Sequence, residues 1–432
     1  MNEELFDFLE ASPTAFQAID VISKKLTAAG FQQLSVTNDW KIAPGGQYFV
    51  TQNGTAIIAF TAPEQKLQQF KAAASHSDSP AFKIKANPEM ADKTYVRLNV
   101  EKYGGMLVSP WFDRPLTIAG RVVVKENGRL STRLVHIDRD LLMIPSLCIH
   151  FDRAANEGRK FDIQKELLPI AGEATDAGLL KEVVAENAGV KPDSIVSSDL
   201  FVVNRDKPVT WGLQNEFIAS PRIDDLECTY SDLAGFLSAD APAPHAMKVY
   251  AVFDNEEVGS RTRQGADSSF FRDTLERAAF SLGLSGAEFR TAVSRSFVLS
   301  ADNAHAIHPA HPDKYDPVNA PQMNAGPVIK YNAAQKYTTD AVSAAVFKEL
   351  CAKADAPFQE FTNHSDIAGG STLGNLLSST FPAASVDIGL AQLAMHSPYE
   401  SAGAKDPAYL TAAVKAFYET EILVEGDEIK IG

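Results

Sequence analysis

Apolar residues recur at Phe16, Ile19, Ile22 and Leu26, close to the 3.6-residue period of a helix, and Gly30 closes the run. Ser12-Pro13 reads as the helix start, with Ser12 as N-cap and Pro13 at the first helical position. Two strand-like stretches follow at 47–51 and 55–61, joined through Asn53-Gly54, a strong hairpin signal. A short apolar run at 70–75 stops at His76-Ser77-Asp78. Past about Pro88 the pattern becomes alternating strands at 95–100, 116–125 and 131–135, with Gly/Pro turns and one modest helix at 178–186. This β-rich stretch extends to about Val209 and holds few candidates for chemistry.

From Phe217 onward strand and helix alternate. A strand at 248–253 ends in Asp254-Asn255-Glu256-Glu257, and a helix follows at about 270–282. A strand at 296–300 ends near Asp302, 340–353 forms a good helix, and a strand at 384–389 precedes His396. Such alternation predicts an α/β fold, a sheet with helices on its faces. No internal repeat interrupts it.

Composition narrows the picture. A chain of 432 residues is long for one core and suggests two domains, side by side or one inserted in the other. The net charge of −15 argues against nucleic acid or an anionic membrane as the main partner. Cys148, Cys228 and Cys351 form no close pair, so neither a disulfide framework nor a thiolate metal site is expected, and all three read as buried, inert thiols. The acidic start MNEELFDFLEAS lacks the basic and apolar regions of a signal peptide. No apolar run approaches the ~20 residues that span a bilayer. The expectation is a soluble, cytoplasmic protein.

The chemistry-bearing residues fall in a consistent place. His76, Glu256, Glu257 and Asp302 each sit just past the end of an expected strand, and His396 lies a few residues past another. In open α/β sheets, ligands bind in the crevice beyond the carboxyl ends of the strands, so these residues can converge. Two imidazoles with several carboxylates and no thiolate suit zinc, cobalt or manganese in a hydrolytic site. Asp78, two residues past His76, can hold the imidazole's orientation. Glu256-Glu257 has the form of a solvated acidic turn, but at a strand end the two side chains diverge, so one can bind metal while the other faces the attacking water. Asp224-Asp225 carries no such signal, and spacing alone allows only a helix cap. His305, His308 and His311 lie in a Pro-rich loop and read as substrate contact or loop packing, while His136, His245 and His364 read as structural. Gly369-Gly370-Ser371-Thr372 lacks the Lys of a phosphate loop, which removes a nucleotide-binding reading.

Eight motifs in order resemble the aspartyl aminopeptidase family of cocatalytic metallopeptidases over nearly the whole chain. They are Ser12-Pro13-Thr14, Ser75-His76-Ser77-Asp78-Ser79-Pro80, Trp111-Phe112-Asp113-Arg114-Pro115-Leu116 and Ser220-Pro221-Arg222-Ile223-Asp224-Asp225. The others are Asp254-Asn255-Glu256-Glu257-Val258-Gly259-Ser260, the stretch from Ser300 through Asp302 and His305 to Pro309, Gly326-Pro327-Val328-Ile329-Lys330, and Ala394-Met395-His396-Ser397. The resemblance implies an aminopeptidase that removes the N-terminal residue of peptides, with a preference for Asp or Glu. It implies two divalent metals per subunit, zinc first, with cobalt or manganese tolerated. Asp224 would bridge them, His76 and Asp302 would complete one site, and Glu257 and His396 the other. Glu256 would be the general base and Asp78 the group that orients His76. Lys330 would supply the cation for an acidic side chain, and His305 would touch substrate. His150 matches a residue that in relatives reaches a neighbouring subunit's active site, although Ser146 stands where some relatives have His.

The implied fold is a peptidase domain with a mixed central sheet flanked by helices, built from 1–88 and 216–432. An inserted β-rich dimerisation domain at 89–215 interrupts it, and the implied assembly is a dodecamer built from dimers. Two rivals remain: a related two-metal aminopeptidase of neutral or broad specificity, and a metal-stabilised assembly protein without catalysis. The second would ordinarily have lost the base or a ligand, and all of these are present.

Overall fold

A computed structural model describes residues 1–240, 243–426 and 428–432. Among the described residues, a nine-stranded mixed sheet forms the centre, in the order Gln32–Leu34, Gln47–Gln52, Ala56–Thr61, Ala246–Phe253, Gln69–His76, Phe297–Ala301, Ala384–Gly389, Val328–Tyr331 and Gln359–Thr362. The four middle strands, from Ala246–Phe253 to Ala384–Gly389, run parallel. Their carboxyl ends therefore open on one side of the molecule, the side that carries the expected ligands.

Burial explains why the middle strands read as short apolar runs. Every residue of Gln69–His76 is buried, because helices cover both faces. Ala72 and Ala74 pack into one core with helices Phe270–Ser281, Gly286–Ser294 and Leu373–Thr380. Ala73 faces the other core, formed with Asn2–Ala11, Ala15–Ala28, Ile223–Ser238, Ala341–Lys353 and Asp406–Glu419. A separate six-stranded antiparallel sheet lies between Ala81 and Asn204 and has its own core around Phe82, Trp111, Ile118 and Val202. Its Ala81–Ala91 strand follows the central strand that ends at His76 after the short link 77–80, which ties the two sheets together beside the candidate ligands.

Several local expectations hold. Asn53 and Gly54 both have positive φ (57° and 73°), and Thr55 N donates to Gln52 O at 3.2 Å, as a tight hairpin requires. Asp340 caps the Ala341–Lys353 helix, accepting from the amides of Val342 and Ser343. Two expectations need correction. Ser12 does not start the second helix: it is the C-cap of an unanticipated helix, Asn2–Ala11, whose Leu5, Phe8 and Leu9 are buried, and Thr14 precedes Ala15–Ala28 instead. Cys148 is exposed, unlike Cys228 and Cys351, because it lies on an irregular loop outside every core.

One buried cation braces the scaffold. Lys71, 1% exposed in the strand that leads to His76, donates to the carbonyls of Phe417, Tyr418 and Thr420 at the end of the Asp406–Glu419 helix. Replacing it by Met keeps the apolar stem and leaves those acceptors buried and unpaired. Lys71→Met should lower unfolding free energy by about 1–3 kcal/mol, read as a shift in denaturant midpoint. An unchanged midpoint would show that the ammonium does not cap the helix.

Candidate metal centre

His76 closes the Gln69–His76 strand, and its amide donates to Asp225 Oδ2 at 3.0 Å. Its Nδ1 lies 3.0 Å from the backbone carbonyl of Asp78 and 3.5 Å from that residue's Oδ1. A carbonyl can only accept, so Nδ1 carries a proton whatever the charge of the ring, and Nε2 is the nitrogen left to meet a metal. Nε2 faces Asp224 Oδ1 at 3.3 Å. His396 repeats the arrangement from another element: Nδ1 donates to Gly105 O at 2.5 Å, which frees Nε2 towards Asp224 Oδ2 at 3.4 Å and Glu257 Oε2 at 3.3 Å. The chain thus fixes both tautomers from behind, as metal-binding histidines require.

Asp224 stands between the two rings. It lies at the irregular start of the Ile223–Ser238 helix, after Arg222 in the left-handed region, and the Asp224–Asp225 peptide is cis. Glu400, 2% exposed, accepts from the amides of both Asp224 (3.0 Å) and His396 (2.7 Å). Glu256 and Glu257 begin a single 3₁₀ turn bounded by Asn255 and Gly259, both at positive φ. Their amides donate to Asp78 Oδ1 and Oδ2 at 3.1 and 3.2 Å. Asp302 follows the Phe297–Ala301 strand and is held through its amide on Ile388 O at 3.0 Å.

Ligand-type atoms of His76, Asp224, Asp225 and Asp302 all lie within 4.8 Å of one another, and the same holds for Asp224, Glu257 and His396. His76, Glu256 and Glu257 form a third such group. Asp224 Oδ1, Asp225 Oδ1 and Glu257 Oε1 are buried without a hydrogen-bond partner. Orphaned carboxylate oxygens are costly in an apolar interior unless a cation or proton meets them. Divalent cations fit this donor set.

The charge balance agrees. Burial, then neighbouring carboxylates, pushes Glu256 up to about 8 and raises Glu257 well above its ordinary range. Burial also raises Asp225, against the pull of His76, and raises Asp302, against the pull of Lys330. Burial opposes charge on the imidazoles too, but Asp225, Asp224 and Asp78 outweigh it at His76, while Asp224 and Glu257 lift His396 to about 10. Asp224 goes the other way, because the two rings hold it ionised despite its burial. Without metal, protons occupy the places that cations would take.

The expected ligands His76, Asp224, Glu257, Asp302 and His396 thus come together, with Glu256 and Asp78 beside them. Lys330 is 2% exposed, with Nζ on Asn303 O at 2.9 Å and 3.6 Å from Asp302 Oδ1. His305 follows Asp302 by three residues on the short Ala304–His305 strand and is exposed, its ring 6.3 Å from that of Phe361. His150 is exposed on the loop that carries Cys148. Sequence reasoning missed Asp225, for which adjacency to Asp224 was the one available signal. It also missed Glu400, a lone acid in a polar stretch with nothing to mark it.

Paired imidazoles and carboxylates beyond the ends of parallel strands define a metal-dependent hydrolase on an α/β scaffold. The chain belongs to the M18 family: the family model described as Aminopeptidase I zinc metalloprotease (M18) matches residues 8–418. It is 43% identical over 424 residues to a probable M18 family aminopeptidase 2 of Clostridium novyi (strain NT), covering 96% of this chain and 98% of the relative. Its fold matches a chain of the complex of Ape4 and Nbr1 with TM-score 0.93 and 35% identity, over 96% of this chain and 85% of that one. The S. cerevisiae mApe1 dodecamer matches with TM-score 0.84 and 26% identity, over 96% of each chain. The protein is a metal-dependent aminopeptidase. Among the described residues, no helix is long and apolar enough to cross a membrane.

Metal binding must expel the protons held by His76, His396 and Glu257. Affinity should therefore rise with pH and fall as pH falls. Chelator competition between about pH 8 and pH 6 should show a loss of at least about tenfold per unit, the slope for one displaced proton. A flat profile would exclude these groups as ligands.

Proposed function

We propose that this aminopeptidase removes N-terminal Asp or Glu from peptides with two divalent ions, zinc foremost, and Glu256 as general base. Asp224 carries this reading: its two oxygens face His76 and His396 separately, at 3.3 and 3.4 Å, as a bridging carboxylate would. Ions held by His76, Asp302 and Asp224 on one side, and by Glu257, His396 and Asp224 on the other, would polarise the scissile carbonyl and make water more acidic.

The remaining steps belong to the chain. Glu256 takes a proton from the attacking water and returns it to the leaving amine. Asp78 holds the Glu256-Glu257 turn by both amides and faces His76 Nδ1 with its backbone carbonyl at 3.0 Å and its carboxylate at 3.5 Å. The free α-amino group would be held at the metal centre, which would set cleavage at the first peptide bond. Lys330 keeps its charge despite burial because Asp302 offsets the desolvation, so a cation lies at the floor of the site for an acidic side chain.

A second reading, a neutral or broad specificity, draws on the same lysine. Its Nζ is already engaged by Asn303 O and lies near Asp302, which leaves fewer directions for a substrate carboxylate.

Assembly belongs to the proposal too. The inserted unit, expected at 89–215 and built on the sheet that runs from Ala81 to Asn204, would pair subunits into a cytoplasmic dodecamer, while the rest of 1–88 and 216–432 would carry catalysis. On its surface Leu147, Ile149 and Phe151 are 49%, 48% and 81% exposed beside His150, an apolar cluster suited to a neighbouring subunit. His150 would then reach that neighbour's active site, and His305 would contact peptide in its own.

Glu256→Gln should retain metal and assembly yet lose about 10²–10⁴-fold in turnover, measured on aminoacyl substrates with metal restored. Near wild-type turnover would remove Glu256 from the mechanism. Lys330→Met separates the two specificity readings. Under the acidic reading, wild type releases Asp and Glu well above Leu, and the variant loses that ratio by about 10-fold or more. Equal wild-type rates on all three would leave a broad aminopeptidase.

A further inference from the structure

We propose that Tyr103, contributed by the six-stranded sheet, is a positioning residue for the metal centre and acts through Asp78. The inference rests on the reading of Asp78, Glu256 and the ligands given above. Tyr103 ends the Tyr95–Tyr103 strand, and its hydroxyl donates to Asp78 Oδ2 at 2.6 Å. Asn255 Nδ2 donates in turn to the Tyr103 oxygen at 2.8 Å, from the residue that precedes the Glu256-Glu257 turn. The phenol therefore joins Asp78, whose backbone carbonyl and Oδ1 lie 3.0 and 3.5 Å from His76 Nδ1, to the loop that presents the base. Burial and the nearby charge of Asp78 raise its pKa far above the ordinary range, so it stays a donor.

The next residues extend the contact. Gly104 has φ of +78°, and a Cβ there would stand 3.2 Å from Glu257 Cβ, so the backbone passes this ligand as closely as it can. Gly105 O receives His396 Nδ1, and Leu107 N donates to His396 O at 3.0 Å. A segment of five residues from the antiparallel sheet thus fixes one imidazole directly and the other through Asp78. A cavity of about 330 Å³ adjoins Asp78, Tyr103 and Asn255. With open space beside it, the Asp78 carboxylate depends on hydrogen bonds for its orientation.

Tyr103→Phe removes the hydroxyl and keeps the ring, which packs edge-on against Phe201 at 5.7 Å. In the full chain with saturating metal, kcat should fall about 10–100-fold while KM stays within about twofold. Chelator competition on the same variant should show metal affinity weakened by about tenfold, with the melting temperature of the metal-free protein within about 2 °C of wild type. A lowered kcat or a weakened affinity, with the melting temperature kept, supports positioning. Both unchanged would overturn it, as would losses that track a lowered melting temperature, since Tyr103 would then act by packing alone. Should wild type prove unable to release N-terminal residues, the functional reading fails, and the affinity measurement still decides the role of Tyr103.

Discussion

The molecule is organised around one carboxylate. Asp224 lies buried with an imidazole opposite each of its oxygens, and other carboxylates crowd the same few ångströms. Like charges at this spacing cannot all ionise in a low-dielectric pocket. The raised pKa values of Glu256, Glu257, Asp225 and Asp302 express that conflict in the metal-free chain. Bound divalent cations would relieve it, which is the electrostatic reason such a carboxylate cluster favours metal. Glu400, Asp78 and Gly105 each hold a backbone or ring donor, keeping the ligands in place when the charge is unbalanced.

The scaffold meets this constraint by topology. Parallel strands bring their carboxyl ends to one edge, and a residue just beyond each end can reach a common point without any long loop. His76, Asp302 and the Glu256-Glu257 turn arrive in this way. Asp224 and His396 come from a helix start and a turn, and both rely on Glu400 for their backbone orientation. This division explains which ligands were legible. Strand ends could be found from hydrophobic runs, so His76, Glu256, Glu257 and Asp302 stood out on physical grounds. Asp224 carried no local signal and was assigned a role only through family resemblance.

Other features were illegible for definite reasons. Tyr103 and Gly105 lie far in sequence from the residues they touch, and a strand-terminal Tyr followed by two glycines looks like an ordinary sheet edge. Glu400 sits among polar residues, and only its two amide contacts mark it. The first helix escaped notice because Ser12-Pro13 is as good a signal for the end of one helix as for the start of the next. Cys148 departs from the burial usual for free cysteines, and no signal at the residue itself marks its exposure. Its neighbours Leu147 and Ile149 are outward-facing too.

Specificity and electrostatics meet at Lys330. Its ammonium is buried beside Asp302, and that proximity keeps it charged where burial alone would neutralise it. The same cation offsets the negative charge of the carboxylate cluster and, under the acidic specificity proposed above, would also offer a counter-charge to an incoming carboxylate. These uses compete only partly, since an ammonium has three donors and Asn303 O occupies one. With Asp302 as the proposed ligand, metal entry would weaken its hold on Lys330, because the carboxylate would turn its charge towards the ion. Under the proposed acidic specificity, loading the site would thus free the lysine for substrate and tie recognition of an acidic residue to metal occupancy.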